Sequence, residues 1–243
     1  MNVMQGDTKI LFRPTKLRVK AIVLDLDGTL VDTRYDFLVA LNQMLDDFQL
    51  PHIDDGFVAI TIGKGSPYLV EQTLRHVSGI SPEKALQEQA YESYLRHYAN
   101  INGVYSRLYP DVVDTLEMLS MRGYALACLT NKPSKLAGPL LMKMGLLSHF
   151  KCVFGGDAFS KRKPDPLPLL RTCETLGVQP KDVIMVGDSV NDAQAARDAK
   201  AAVALVRYGY NHGNPIEEVD ADFYLNSLKE LPALLYQGDI SPD

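Results

Sequence analysis

Residues 20–33, KAIVLDLDGTLVDT, constrain the fold of this chain more than any other stretch. Residues 21–24 form an apolar run with no polar alternation. A strand that buries one face alternates, whereas a strand covered on both faces reads as a continuous apolar run. The run therefore predicts a central strand of a parallel sheet. It ends in two carboxylates, Asp25 and Asp27, followed by Gly28 and Thr29. Unpaired charge at a buried strand end is costly, so the pair calls for a neutralising partner. A divalent cation would serve, and hard oxygen ligands suit Mg²⁺. One acid would remain free to attack or to move protons.

After Thr33 the period changes. Phe37, Leu38, Leu41, Leu45 and Phe48 fall at helical spacing and predict a helix over residues 34–49, stopped by Pro51. A Gly-rich turn follows, Gly63-Lys64-Gly65-Ser66-Pro67, with Ser66 expected as N-cap and Pro67 in the first turn. That helix carries Leu69, Val70, Thr73, Leu74 and Val77. Ser81-Pro82-Glu83 opens another, running to about residue 98. No buried strand is expected between residues 34 and 104.

From residue 109 helices and strands alternate. Helices are expected over 112–121, 134–144, 166–176 (capped by Asp165), 189–200 and 227–236. Strands are expected over 124–130, 153–156, 182–187, 202–206 and, at an edge, 221–225. Such alternation means right-handed crossovers and a parallel sheet covered on both faces. The expected fold class is α/β: a Rossmann-like parallel sheet with an inserted, all-helical cap. The expected division is a loose tail over residues 1–16, a core of 17–33 and 105–243, and a cap of 34–104.

The 243 residues carry a net charge of −5, with no basic face, so nucleic acid is not an expected partner. Any positive field for an anionic substrate must be local: a metal and a few lysines. Cys128, Cys152 and Cys173 are odd in number and widely spaced, which suits reduced thiols. No stretch reaches the ~18 apolar residues of a membrane span, and the N-terminus lacks the apolar segment of a signal peptide. A cytoplasmic protein, monomer or homodimer, is the expectation.

In open parallel sheets ligands bind beyond the strands' carboxyl ends, where strand order switches. The polar residues fall at those ends: Asp25 and Asp27 after the first strand, Thr130-Asn131-Lys132 after the second, Gly187-Asp188-Ser189 after the fourth. Lys163 precedes Pro164-Asp165-Pro166, with Lys161 and Arg162 before it.

The strings DLDGTLVDT, LTNK, KRKPDP and GDSVND, in this order, resemble the four motifs of haloacid-dehalogenase-superfamily phosphohydrolases over residues 20–214. Within that superfamily the likeness is to phosphoglycolate phosphatases, through IGKGSPYLVEQTL and RYGYNHG. The resemblance implies Asp25 as the nucleophile that forms an aspartyl-phosphate. It implies Asp27 as general acid/base, with its backbone carbonyl a metal ligand. Thr130 and the Asn131 backbone N–H would bind the phosphoryl group, and Lys163 would stabilise the charge. Asp188 would ligate Mg²⁺, with Asp192 behind it. Asp111 departs from the Gly that this group has after Tyr-Pro.

The implied activity is Mg²⁺-dependent hydrolysis of a small phosphorylated metabolite, with 2-phosphoglycolate the expected substrate. A phosphomutase on the same fold, or a phosphatase for a nucleotide, sugar phosphate or pyrophosphate, stays open. Asp27 argues against a dehalogenase, which needs no such acid. Selectivity is expected from the turn Gly63-Lys64-Gly65. Its small residues allow close backbone approach, and the next helix's free N–H groups favour an anion. Lys64 is the residue expected to meet a substrate carboxylate.

Overall fold

A computed structural model describes residues 17–236; the expected tail over 1–16 lies outside the described residues. Strand β1 (Ala21–Leu24) is fully buried, as its unbroken apolar run requires. It runs parallel to β4 (Ala125–Leu129) on one side and to β6 (Val183–Gly187) on the other. Outside these lie β5 (Cys152–Phe154) on one flank and β7 (Ala202–Val206) and β8 (Phe223–Leu225) on the other. The order β5-β4-β1-β6-β7-β8 is parallel throughout. The chain winds outward from β1 through β4 to β5, then returns to the far side of β1 with β6. The switch point is therefore at β1.

Side chains divide by strand parity. Ile22, Leu24, Leu126, Cys128, Ile184 and Val186 join one core with α5 (Val112–Met121) and α6 (Ser134–Lys143). Ala21, Val23, Ala127, Leu129, Val183 and Met185 join a second with α7 (Leu167–Leu176) and α8 (Val190–Ala199).

Four helices fill the insert: α1 (Arg34–Asp47), α2 (Asp55–Thr61), α3 (Ser66–Ser78) and α4 (Lys84–Ile101). They share a third core around Phe37, Leu41, Leu45, Leu74, Tyr94 and Tyr98. Where the chain enters and leaves the insert, β2 (Val31–Asp32) pairs antiparallel with β3 (Arg107–Leu108). Asp36, wholly buried, accepts from the backbone N–H of Gly103 at 2.6 Å and of Tyr105 at 2.7 Å, and from the Ser106 hydroxyl. One carboxylate thus ties the outgoing linker to the first turn of α1.

Local detail departs from expectation at four places. Helix α2, capped by Asp54, has only seven residues, too few for a helical period to stand out. The residue before α3 is Gly65 at φ 90°, and Ser66 is inside the helix and buried. The N-cap of α7 is Pro166, although Asp165 accepts from Leu167 N–H at 2.9 Å. The C-terminal helix breaks into a 3₁₀ turn (Leu228–Glu230) and a four-residue α9 (Leu231–Leu234), with Pro232 at its start. Asp111 occupies a left-handed position, φ 65°, a conformation that glycine adopts most readily. Its carboxylate accepts from Ser227 Oγ at 2.7 Å.

Candidate active site

Register brings the strand ends together. Leu24 pairs with Cys128 and Val186, so Asp25 emerges between Leu129 and Gly187 and donates its N–H to Val186 O at 2.9 Å. Asp188 and Ser189 follow β6 directly. A reciprocal cap starts α8: Asp192 accepts from Ser189 N–H at 3.2 Å and Oγ at 2.9 Å. This cap turns Asp192 back toward β1. Lys163 reaches in from the loop before α7, with its ammonium 2.9 Å from Asp25 and 2.7 Å from Asp192, and donates to Leu129 O at 2.7 Å.

Carboxylate oxygens of Asp25, Asp188 and Asp192 lie within 4.8 Å of one another, all buried. The backbone must come close to fit them. A side chain at Gly28, where φ is 84°, would sit 2.0 Å from Asp188 Oδ2, and one at Gly209 2.1 Å from Asp188 Cβ. Tyr210 N–H donates to Asp188 Oδ2 at 2.7 Å. Its hydroxyl donates to Asp32 at 2.7 Å and accepts from Thr33 N–H at 2.9 Å. One tyrosine therefore links the acid cluster to the entrance of the insert.

Three acids face one buried ammonium, leaving two negative charges uncompensated. Burial accordingly lifts Asp25 to about 7, although the Lys163 charge lowers it. Asp188 rises well above the usual carboxylate range, first through burial and then through the charges of Asp192 and Asp25. A divalent cation would neutralise the cluster, and an all-oxygen donor set fits a hard one. Both Asp192 oxygens are already engaged, one by Lys163 and one by the α8 cap. Asp25 and Asp188 are the better ligands.

A cavity opens above the cluster, lined by Asp25, Asp27 and Thr130-Asn131-Lys132 below and by Phe37, Ile62, Gly63, Gly65, Ser66 and Leu69 above. Its free volume is about 20 Å³, roughly the room one water needs. Asn131 donates to Gly63 O at 3.0 Å and to Lys163 O at 2.9 Å. Asn191 also donates to Gly63 O, at 3.2 Å. Two core amides thus grip one carbonyl of the insert and hold it down over the cavity.

Of the residues expected from sequence, the structure gathers Asp25, Asp27, Thr130, Asn131, Lys163, Asp188 and Asp192, together with Gly63 and Gly65. Lys64 stands apart from this group. It is exposed, its ammonium stands 5.2 Å from the centre of the Tyr68 ring, and it does not line the cavity. The two flanking glycines turn their backbone inward and leave the side chain between them outside.

The lysine that does line the cavity is Lys132, which sequence reading noted only as a neighbour of Thr130. It is 3% exposed. Its ammonium lies 3.1 Å from Asp27 and donates to Tyr98 OH at 2.6 Å. It also lies 4.6 Å from the centre of the Phe37 ring. Nothing local to Lys132 signals this, because its partners Asp27, Phe37 and Tyr98 come from the loop after β1, from α1 and from α4.

Residues 22–206 match the family described as haloacid dehalogenase-like hydrolase. The chain is 41% identical over 214 residues to a phosphoglycolate phosphatase of Thiobacillus denitrificans, covering 88% of this chain and 94% of that one. It is 41% identical over 222 residues to the plasmid-borne phosphoglycolate phosphatase of Cupriavidus necator, covering 91% and 95%. The crystal structure of a predicted phosphoglycolate phosphatase from Haemophilus somnus superposes with a TM-score of 0.85 at 33% identity, covering 88% of this chain and 97% of that one. The family match spans most of the chain and the relatives are covered over nearly their whole length, so the chain belongs to the haloacid dehalogenase-like hydrolases.

Proposed function

We propose that this hydrolase is a Mg²⁺-dependent phosphatase that converts 2-phosphoglycolate to glycolate and phosphate through an aspartyl-phosphate on Asp25. The observation that carries the chemistry is the buried cluster of Asp25, Asp188 and Asp192 around Lys163. The substrate is suggested by relatives named phosphoglycolate phosphatases, matched over nearly their whole length.

Asp25, Asp188 and the Asp27 carbonyl would hold the cation, which when bound supplies charge that offsets repulsion between a phosphate dianion and a carboxylate. Lys163 adds positive charge beside the nucleophile, and Thr130 offers its hydroxyl to an equatorial phosphate oxygen. An Asp25 oxygen attacks phosphorus, and the bond to the leaving oxygen breaks. Asp27 gives its proton to that oxygen, so glycolate leaves as the alcohol. Asp27 then takes a proton from water, which attacks the phosphoryl group and frees Asp25 and phosphate. Splitting hydrolysis this way replaces one hard displacement by two easier ones.

Residues 34–104 cover the cavity, and their opening about the place where β2 pairs with β3 would admit the substrate. Closure then excludes water during the first step.

A phosphate-release screen over small monoesters, with Mg²⁺, tests this reading. Release should be fastest from 2-phosphoglycolate and absent in Asp25→Asn. Isomerisation of a sugar 1-phosphate with little free phosphate would instead establish a mutase, and turnover retained in Asp25→Asn would refute the nucleophile.

A further inference from the structure

We propose that Lys132 selects the substrate by donating a charge-assisted hydrogen bond to a second anionic group carried next to the phosphoryl group, a carboxylate in phosphoglycolate. The assignment rests on the phosphomonoesterase reading above and assigns to a core residue a task expected of the insert.

Two buried ammonium groups lie near Asp25, and their situations differ. An ammonium has three N–H donors. Those of Lys163 are spent on Asp25, Asp192 and Leu129 O, and Lys163 does not line the cavity. Lys132 lines it, and among the described residues its hydrogen bonds go to Asp27 and Tyr98 alone. One donor is left over on a cation already stripped of water.

Its surroundings suit an ammonium that waits for an anion. A buried cation needs compensation. Here the compensation is one carboxylate, the Tyr98 hydroxyl oxygen and the ring of Phe37. The Phe37 ring favours positive charge without consuming a donor, whereas Tyr98 takes one through its hydroxyl. They also hold the side chain in place, so little freedom is lost when a ligand arrives.

Location decides which part of the substrate Lys132 meets. The phosphoryl group must reach Asp25, on the sheet side of the cavity. Lys132 instead bonds Asp27, the group that would protonate the leaving oxygen, and Tyr98 from α4. A cation beside the leaving-group acid faces whatever substituent the leaving group carries. In phosphoglycolate the carboxylate is one carbon from that oxygen. Lys64, the other candidate, is outside.

The test compares kcat/KM for 2-phosphoglycolate with that for ethyl phosphate, a neutral-tailed ester of similar size, in the wild type, Lys132→Met and Lys132→Arg. Loss of Asp27's partner slows both substrates, so the informative quantity is their ratio. In Lys132→Met the preference for phosphoglycolate should fall on the order of 10- to 100-fold. Lys132→Arg should retain most of it. Thermal melting reports folding; if the methionine variant does not fold, Lys132→Gln drops the charge and keeps a donor for Asp27.

An unchanged ratio, with both rates reduced alike, overturns the assignment and leaves the proposed activity standing. Lys132 would then support only Asp27 or the phosphoryl group. A wild type that prefers a different doubly anionic monoester, and loses that preference in Lys132→Met, corrects the substrate and upholds the assignment. A wild type indifferent to a second anionic group overturns the assignment.

Discussion

Removing the divalent cation should make this protein less stable as pH rises, the reverse of common acid denaturation. Burial lifts Asp25 from 3.8 to about 7 against the lowering by Lys163, and Asp188 rises for the same reason. Between those values the folded protein keeps a proton that the unfolded chain has released. The unfolded state then binds fewer protons, so the unfolding free energy falls with increasing pH. The loss begins above pH 3.8 and is complete for Asp25 once pH passes about 7.

That interval corresponds to on the order of 4 kcal/mol for Asp25 alone. Of this, about 3 kcal/mol falls between pH 5 and 7; each kcal/mol moves the melting temperature of a chain this size by roughly 2–4 °C, so the drop across that range should be roughly 6–12 °C. Asp47, Asp111 and Glu217 are shifted down and act in the opposite direction. They lie in solvent, where screening keeps their effect small.

The assay is calorimetry on EDTA-dialysed protein from pH 5 to 8, with and without excess Mg²⁺. The cation favours the charged carboxylates, so its presence should raise the melting temperature and flatten the slope. Asp25→Asn should remove much of the slope in EDTA. A metal-free melting temperature that is level or rises between pH 5 and 7, or a slope unchanged in Asp25→Asn, would refute the reasoning.

Lys163→Met should lower kcat on the order of 10²- to 10³-fold, and should destabilise by roughly 3 kcal/mol because it strands Asp25 and Asp192; wild-type rates in steady-state kinetics would contradict the first expectation and an unchanged melting temperature the second. Lys64→Ala should change kcat/KM for phosphoglycolate by less than about twofold, as expected of an exposed side chain away from the site, and a tenfold loss in the same assay would return Lys64 to the site. Asn131→Ala combined with Asn191→Ala frees the Gly63 carbonyl and should raise the radius of gyration by small-angle scattering, with KM increased more than kcat is lowered. An unchanged scattering profile would mean that the insert is held down by other contacts.

Much of this site was legible because its signals are local. The run before Asp25 announces a strand buried on both faces, and a strand's end fixes where the next side chain emerges. Asp25, Asp27, Thr130 and Asp188 each sit within a few residues of such an end. Asp192 follows from the helix cap that Ser189 starts. The short α2 and the broken C-terminal helix were not legible in the same way. Seven residues show hardly two helical turns, and Pro232 interrupts a pattern that otherwise continues.

Local signals do not say which of two lysines meets the substrate. Lys64 sits in a turn whose glycines promise close approach, and Lys132 in a string where only Thr130 stands out. Their places are decided by contacts between distant segments: Lys132 with Tyr98, 34 residues away, and with Asp27, 105 residues away. Tyr210 reaches Asp32 across 178 residues, and Asn191 reaches Gly63 across 128. By itself the sequence determined the sheet, the insert and the carboxylates at the strand ends, because periodicity and strand termination act over a few residues. Only the tertiary structure decided which cation lines the cavity and how the insert is gripped, because those depend on how the helices of the insert seat over the sheet.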